Sequence, residues 1–227
     1  MNSKYAASII LIRPKVRNGF EVLLVRHTSI RNRGKLYSFL GDSVNEDDYS
    51  EALLNRCIGL SPNHARNILG KNLTPELSLG HWVAAIRRLY EEVGLLFCTR
   101  RNNKSSSPRV YNYRSDLLNF RTILESEELL CNVSRLGYYS RWLSSGEFPE
   151  KFDIRFFLAI LTPDHILNPN PQEIINSKWL IPEHCLTLCQ QDKLLVDFST
   201  YAVLRTLADF DSLDALVSEY GLHKSEV

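Results

Sequence analysis

Residues 81–97 of the chain read HWVAAIRRLYEEVGLLF, and this stretch is the clearest helix in the sequence. Its apolar residues recur at spacings of three and four: Ile86, Leu89, Val93 and Leu96. This spacing places them on one face of a helix, which we expect to pack on the core. Gly94 lies where such a helix would end, because glycine readily takes the left-handed conformation found after helix C-termini.

Another face of this helix carries Arg88, Glu91 and Glu92, which lie within roughly a third of a turn of one another. Two adjacent carboxylates suit a hard divalent cation such as Mg2+ or Mn2+, which can neutralise a diphosphate and activate a water. The same residues also fit two i,i+4 ion pairs, Arg87 with Glu91 and Arg88 with Glu92. Taken alone, the helix favours the ion pairs, because charged helix faces are usually just solvated.

The composition argues against several classes of protein. The chain has 227 residues, of which 44% are hydrophobic, so it can bury a core of ordinary size. A net charge of +1 does not give the broad basic field of a dedicated nucleic-acid binder. No apolar run reaches the roughly 18 residues needed to span a bilayer, and the first residues lack the apolar core of a signal peptide. Five cysteines, an odd number, fit reduced thiols. Together these observations lead us to expect a cytoplasmic protein with no membrane or nucleic-acid partner.

The rest of the sequence divides into strand-like and helix-like segments. Apolar, β-branched runs predict the strands Ala6–Arg13, Phe20–His27, Leu36–Leu40, Ile154–Thr162 and Lys178–Ile181. The first two should form a hairpin, because the residues between them favour a turn. Helical patterns cover Tyr49–Ile58, Pro62–Leu69, Ser115–Leu136, Ser199–Asp209 and Leu213–Tyr220, and Pro75 is interpreted as a break.

The segment Arg87–Leu95 (RRLYEEVGL) resembles the second half of the Nudix box, whose family pattern is G-x5-E-x7-R-E-U-x-E-E-x-G-U with U aliphatic. Its matching residues are Arg87, Leu89, Glu91, Glu92, Gly94 and Leu95. The earlier segment 39–42 (FLGD) resembles the Phe-Pro-Gly-Gly that leads into the box, with leucine for proline and Asp42 for the second glycine. With Asp42 at the first position of the box, the first family acid falls on Asp48.

The spacing within this box points to one branch of the family. Arg87 follows Asp42 about 31 residues later than the family pattern requires, so a segment is inserted inside the box. The acyl-CoA diphosphatase branch has a long helical segment at this place, and the chain resembles it further. The stretch YYSRWLSSGEFPEKFDIRFFLA, which ends at Ala159, is similar to an aromatic stretch of that branch. Glu173–Pro182 and the helix Phe198–Leu207 are similar to its later strand and final helix.

The resemblance implies an α/β fold: a Nudix-type α/β/α sandwich around a mixed β-sheet, in a single domain spanning 1–227. It implies a helical insertion at about 43–80 and a second helical segment at about 110–145. It also implies a Nudix pyrophosphohydrolase, which hydrolyses a nucleoside diphosphate linked to another moiety, with CoA or acyl-CoA as the leading substrate. Relatives of this kind often form homodimers.

The resemblance assigns roles to residues of the box and of the loop before it. Glu91, Glu92 and Arg87 are the expected catalytic residues, and Glu91, Glu92 and Asp48 are the expected ligands of Mg2+ or Mn2+. In that mechanism water attacks phosphorus and Arg87 orients the carboxylates. Four basic residues are candidates for binding the substrate diphosphate, with a merely solvated loop as the alternative: Arg26, Arg31, Arg33 and Lys35. Asp153 and Arg155 are expected to form a structural ion pair.

Arg88 is the departure from the family pattern that matters most, because it stands where the family has a metal-binding glutamate. An arginine cannot ligate a cation, and its fixed positive charge would repel one. Two outcomes are open. Carboxylates from Glu46, Asp47, Asp48 or Glu173 complete a reshaped metal site, or the guanidinium replaces the metal and binds a phosphate. The alternative function is therefore a catalytically impaired Nudix domain that binds a nucleotide or a protein partner.

Overall fold

The computed structural model of the chain describes residues 3–15, 19–28, 36–100, 109–112, 119–144, 151–161 and 165–222. The strands of these ranges are β1 (Lys4–Pro14), β2 (Phe20–His27), β3 (Leu40–Ser43), β4 (Cys57–Ile58), β5 (Leu95–Arg100), β6 (Arg109–Asn112), β7 (Leu129–Asn132), β8 (Gly137–Leu143), β9 (Phe152–Ile160) and β10 (Ile174–Leu180). The helices are α1 (Glu51–Leu54), α2 (Pro62–Leu69), α3 (Pro75–Val93), α4 (Phe120–Ser126), α5 (Pro182–Gln190), α6 (Phe198–Leu207) and α7 (Leu213–Tyr220).

The larger sheet is mixed and has the strand order β10-β2-β1-β9-β8, with β3 also paired to β1. β1 runs parallel to β9 along most of its length and antiparallel to both β2 and β3. The predicted hairpin of β1 and β2 is therefore confirmed. A smaller sheet has the order β4-β7-β5-β6.

The two faces of the larger sheet are covered by different helices. On one face α3 packs against the sheet, and the rings of Trp82 and Phe157 lie 4.8 Å apart, centroid to centroid. On the other face α5, α6 and α7 cover a second apolar cluster that includes Ile10, Phe156 and Leu204. Successive side chains of a strand point to opposite faces, so β1 and β9 contribute to both clusters. The predicted α/β/α sandwich is confirmed. Within the described ranges, no helix combines the length and apolar character that a membrane crossing requires.

Helix α3 begins six residues earlier than the sequence indicated and ends at Val93, so Leu96 lies in strand β5 and not on the apolar face of the helix. It begins at Pro75, where the interpretation of this proline as a break was wrong. Proline is tolerated in the first turn of a helix, because the N–H that it lacks would have no partner there. The hydroxyl of Thr74 accepts a hydrogen bond from the amide of Leu77 and caps this end. At the other end Gly94 has a φ of 72°, the left-handed conformation that the sequence predicted.

Much of the second predicted helical segment is extended instead. A helix was expected over residues 115–136, but in the described part of that range, 119–136, only α4 and a short 3-10 turn at Val133–Arg135 are helical, and β7 is a strand. Strand β8 follows within the helical segment predicted at about 110–145. Glu128 has a positive φ of 51° in the turn after α4. The following residues then pair with β5, so that Cys131 lies opposite Cys98. The strand pairing is a long-range contact, which the local pattern of glutamates and leucines does not reveal.

The segment predicted as a helical insertion, about 43–80, contains a 3-10 turn at Glu46–Tyr49, then α1, the two-residue strand β4, α2 and the start of α3. Strand β3 begins at Leu40, later than the predicted strand Leu36–Leu40. Tyr37 and Ser38 form isolated bridges with Val196 and Val25 instead. The sequence did not predict α5.

A buried polar group lies between α3 and the sheet. Arg155 is fully buried and forms the predicted ion pair with Asp153, which also pairs with Arg141 at 2.8 Å. On α3, the Nδ1 atom of buried His81 donates to the carbonyl of Leu77 at 2.7 Å, so Nδ1 carries a proton. Burial lowers the pKa of His81 to about 4.

Substitution of Gly41 tests the close packing of β3 on β1. A Cβ at this position would lie 2.4 Å from the carbonyl oxygen of Ala7, and the φ of +153° disfavours other residues. We expect Gly41→Ala to lower the free energy of unfolding by about 2 to 3 kcal/mol, measured by urea denaturation. The control is Gly19→Ala, because a Cβ there meets nothing within 4 Å. Equal stability of the two variants would contradict the packing.

His81 should make the protein less stable in acid. Its pKa falls from 6.5 to about 4 on folding, so the unfolded chain binds a proton that the folded protein excludes. Stability from this group is complete above pH 6.5 and is lost as the pH falls towards 4, by up to about 3 kcal/mol. Urea unfolding at pH 7 and pH 4.5 should show a smaller loss for His81→Gln than for the unmodified protein. The same loss of stability in both proteins would count against a lowered pKa of His81.

Candidate functional site

A buried ion pair joins α3 to the inserted segment. The Nε and Nη2 atoms of Arg87 donate to the two carboxylate oxygens of Asp48 at 2.7 and 2.9 Å. Asp48 is fully buried and also accepts a hydrogen bond from the amide of Asn45 at 2.8 Å. Burial lowers the pKa of Arg87, but the hydrogen bonds and charge of Asp48 outweigh this effect and raise it overall. Arg87 therefore holds the start of the insertion against the helix.

Arg88 lies at the centre of three glutamates. Its Nη1 atom is 2.9 Å from Glu91, its Nε atom is 3.0 Å from Glu92, and its Nη2 atom is 2.7 Å from Glu173. Burial lowers the pKa of Arg88, but the charges of Glu92, Glu173 and Glu91 outweigh it, so that the pKa is raised. Both predicted i,i+4 pairs are present, since Arg87 also contacts Glu91 at 2.9 Å. These pairs are partly buried, unlike the ordinary surface pairs that the helix alone suggested.

Glu92 is fully buried, so the prediction that it lies on a face away from the core was wrong. Its Oε1 atom accepts hydrogen bonds from Arg88 and, at 3.2 Å, from the amide of Gly41. Its Oε2 atom lies 2.8 Å from Nε2 of His27. The sheet covers this face of α3, because His27 at the end of β2 and Gly41 in β3 both contact Glu92. A buried carboxylate needs such partners, since an uncompensated charge in the interior is costly.

His27 is a site residue that the sequence analysis missed. It is the last residue of β2, and Leu23 and Val25 of the same strand belong to the apolar cluster under α3. The alternation of side chains along a strand places His27 on that face too. The sequence already indicated this alternation. It did not indicate that α3 would pack on this face of the sheet.

Arg26, the one predicted diphosphate-binding residue that the structure describes, does not meet the α3 carboxylates. Arg26 precedes His27 and therefore points to the opposite face of the sheet, where its guanidinium lies 5.9 Å from the ring centroid of Tyr37. The other three candidates, Arg31, Arg33 and Lys35, lie outside the described residues.

The residues around α3 do not fit a divalent cation while Arg88 is in place. The guanidinium of Arg88 engages Glu91 and Glu92, and Arg87 engages Asp48, so the three expected ligands are not assembled around one point. In the part of the chain that the structure describes, no group of three or more His, Cys, Asp or Glu side chains could hold a metal ion. Two arginines face four carboxylates here, counting Glu173, so that two negative charges are in excess when His27 is neutral.

Removal of the Asp48 charge should destabilise the protein strongly. Asp48→Asn leaves the guanidinium of Arg87 buried beside a neutral partner, and breaking a buried pair in this way costs about 3 kcal/mol. The matched control is Asp47→Asn at the neighbouring, exposed position, which should cost less than about 1 kcal/mol. Chemical denaturation measures both. A similar loss of unfolding free energy in the two variants would show that the buried ion pair stabilises the protein no more than the exposed pair.

Comparisons with known proteins reveal similarity of structure without similarity of sequence. No protein-family model matches the sequence, and no curated protein matches it. A Nudix hydrolase from Alicyclobacillus acidocaldarius has a TM-score of 0.71 at 19% identity, covering 96% of this chain and 96% of that chain. A C. elegans Ap4A hydrolase has a TM-score of 0.48 at 12% identity, covering 96% and 99%. The Nudix domain of Shewanella oneidensis NrtR, solved with ADP-ribose, has a TM-score of 0.47 at 9% identity, covering 90% and 86%.

The first of these structures matches along nearly the whole length of both chains, and its identity of 19% makes this a likeness of fold. Together with the mixed sheet between helices, it leads to one conclusion: the chain has the α/β/α fold of the Nudix hydrolases.

Proposed function

We propose that the protein is a Nudix-fold binding domain that does not hydrolyse a ligand at α3, because Arg88 takes the place of the cation. The observation that carries this proposal is the contact of one guanidinium with three carboxylates at 2.7 to 3.0 Å. In the Nudix pattern that the chain resembles, this position carries a glutamate. Replacing it with arginine removes one carboxylate from the group and adds a permanent positive charge.

The energetics favour retention of Arg88 in this position. Its side chain is only 11% exposed, and it makes charge-assisted hydrogen bonds to Glu91, Glu92 and Glu173. Each such bond contributes roughly 1.5 to 3 kcal/mol. A cation would have to displace the guanidinium and compete with all of them. Mg2+ also gives up its own hydration reluctantly, so that this exchange is unfavourable.

The same charges argue against a diphosphate bound directly over α3. The donors of Arg88 already face carboxylates, and the group around it has two negative charges in excess when His27 is neutral. A phosphate would meet net repulsion unless a cation accompanied it. One alternative from the sequence was that the guanidinium of Arg88 binds a phosphate. The excess of negative charge around Arg88 disfavours that alternative. A nucleotide or protein partner would bind elsewhere on the domain.

Hydrolysis of a nucleoside diphosphate linked to another moiety is the second candidate function. The observation in its favour is that Glu91, Glu92 and Glu173 all contact the guanidinium of Arg88, so that moving Arg88 outwards would leave three carboxylates without that counter-charge. Such oxygen ligands suit Mg2+ or Mn2+. CoA or acyl-CoA is then the first substrate to try, because of the resemblance to the acyl-CoA diphosphatase branch.

Arg88→Glu separates the two functions. We expect the unmodified protein to form no product from CoA, acyl-CoA, ADP-ribose or NADH with Mg2+ or Mn2+, and to show no rise in melting temperature with Mn2+ alone. Arg88→Glu restores the family carboxylate, so Mn2+ should raise its melting temperature by several degrees. A second variant, Arg88→Gln, leaves the three glutamates without their counter-charge and should respond in the same direction.

Two controls make the test specific. Arg205→Glu reverses an exposed charge distant in sequence on α6 and should gain no response to Mn2+. Adding Glu92→Gln to Arg88→Glu should remove the response. Metal-dependent product formation by the unmodified protein, abolished by Glu92→Gln, would overturn the binding proposal and establish the hydrolase.

A further inference from the structure

On the sheet face opposite α3, two cationic side chains from the paired strands β2 and β10 lie near the ring of Tyr37. Arg26 on β2 lies opposite Asn176 on β10, and Lys178 follows two residues later on the same face. Both cations contact Tyr37, with the guanidinium of Arg26 5.9 Å and Nζ of Lys178 5.3 Å from its ring centroid. The hydroxyl of Tyr37 donates to Oδ1 of Asn176 at 3.1 Å.

The positive charge of this group is not balanced. Within the described ranges, neither Arg26 nor Lys178 forms an ion pair with a carboxylate. The Nε atom of Arg26 is buried and has no hydrogen-bond partner among the residues that the structure describes. Buried donors are normally satisfied, so this atom indicates a missing acceptor. Two like charges on one ring repel each other, and an anion between them would relieve that repulsion and accept the free donor.

An apolar cavity of about 460 Å3 lies next to this group. The backbone connects the two features, because the amide of Tyr37 donates to the carbonyl of Leu195 at 2.7 Å. The walls of the cavity are largely apolar and include Leu36, Leu194, Leu195, Val196 and Phe198. The one carboxylate of the lining, Asp197, is engaged as the cap of α6, where it accepts from the amide of Thr200 at 2.7 Å. The volume falls within the usual range for small-molecule sites.

We propose that this face binds an amphipathic anion, with its negatively charged head at Arg26 and Lys178 and its apolar chain in the cavity. The adjacent position of the two features supplies the argument, because a single ligand can satisfy the free donor and fill the apolar space. The site lies across the sheet from the glutamates of α3, so it does not depend on a metal or on Arg88. It is also independent of the proposed loss of hydrolysis.

Alkyl phosphates of increasing length test both parts of the site. Inorganic phosphate, hexyl, octyl and decyl phosphate are titrated into the full-length protein by calorimetry. We expect affinity to rise along this series, by up to about fourfold for each CH2 that becomes buried. Decyltrimethylammonium has the same chain with the opposite charge and should bind at least tenfold more weakly than decyl phosphate. Affinity that does not change with chain length, or equal binding of the cation, would overturn the proposal.

Substitutions test where the head group and the alkyl chain of the ligand bind. Lys178→Gln and Arg26→Gln should each weaken decyl phosphate at least fivefold while affecting the chain-length dependence little. Leu195→Asn should reduce the gain from octyl to decyl phosphate, because Leu195 lines the cavity and is 44% exposed. The matched control is Arg205→Gln, which removes an exposed positive charge on α6 and should leave affinity unchanged. If Arg26→Gln fails to fold, Lys178→Gln decides the question alone. Unchanged affinity in Lys178→Gln would contradict the proposed head-group position.

Discussion

The buried carboxylate of Glu92 is the constraint around which the α3 side of the molecule is organised. A fully buried charge must be compensated, and its partners come from three elements: His27 at the end of β2, the amide of Gly41 on β3, and Arg88 one turn earlier on α3. These contacts hold the helix in register with the ends of two strands. Gly41 can approach this closely because it has no side chain to meet β1. The same interaction therefore explains why a glycine, a histidine and an arginine occur where they do.

Arg88 joins three carboxylates of this arrangement in a closed set of ion pairs. The carboxylates that could face a cation face a guanidinium instead, which binds Glu91, Glu92 and Glu173 together. Arg87 plays a different part, since its partner Asp48 belongs to the inserted segment and fastens that segment to the helix. Neighbouring arginines thus make separate contacts, one with the inserted segment and one with the three glutamates. The likeness to a solved Nudix hydrolase extends to the fold, while this pairing is a property of the chain itself.

The two faces of the sheet carry groups of opposite charge. His27 and Arg26 are adjacent in sequence, yet strand alternation sends one to the acidic group under α3 and the other to the basic group beside Tyr37. The α3 face has an excess of negative charge. The opposite face has positive charge that no carboxylate in the described ranges balances, next to an apolar cavity. The anion site proposed above therefore lies on the opposite face of the sheet from the residues of the Nudix pattern.

The sequence by itself determined the elements whose signals are local. The apolar spacing of α3, its end at Gly94 and the hairpin of β1 and β2 follow from periodicity and turn residues, and the i,i+4 pairs of Arg87 and Arg88 follow from helix geometry. Only the tertiary structure decided that residues 129–132 form a strand, that Glu92 is buried, that His27 contacts it, and that Glu173 joins Arg88 from 85 residues away. Those features depend on which surfaces meet when the layers pack. Burial and long-range pairing are set by packing between distant segments, and local patterns do not contain that information.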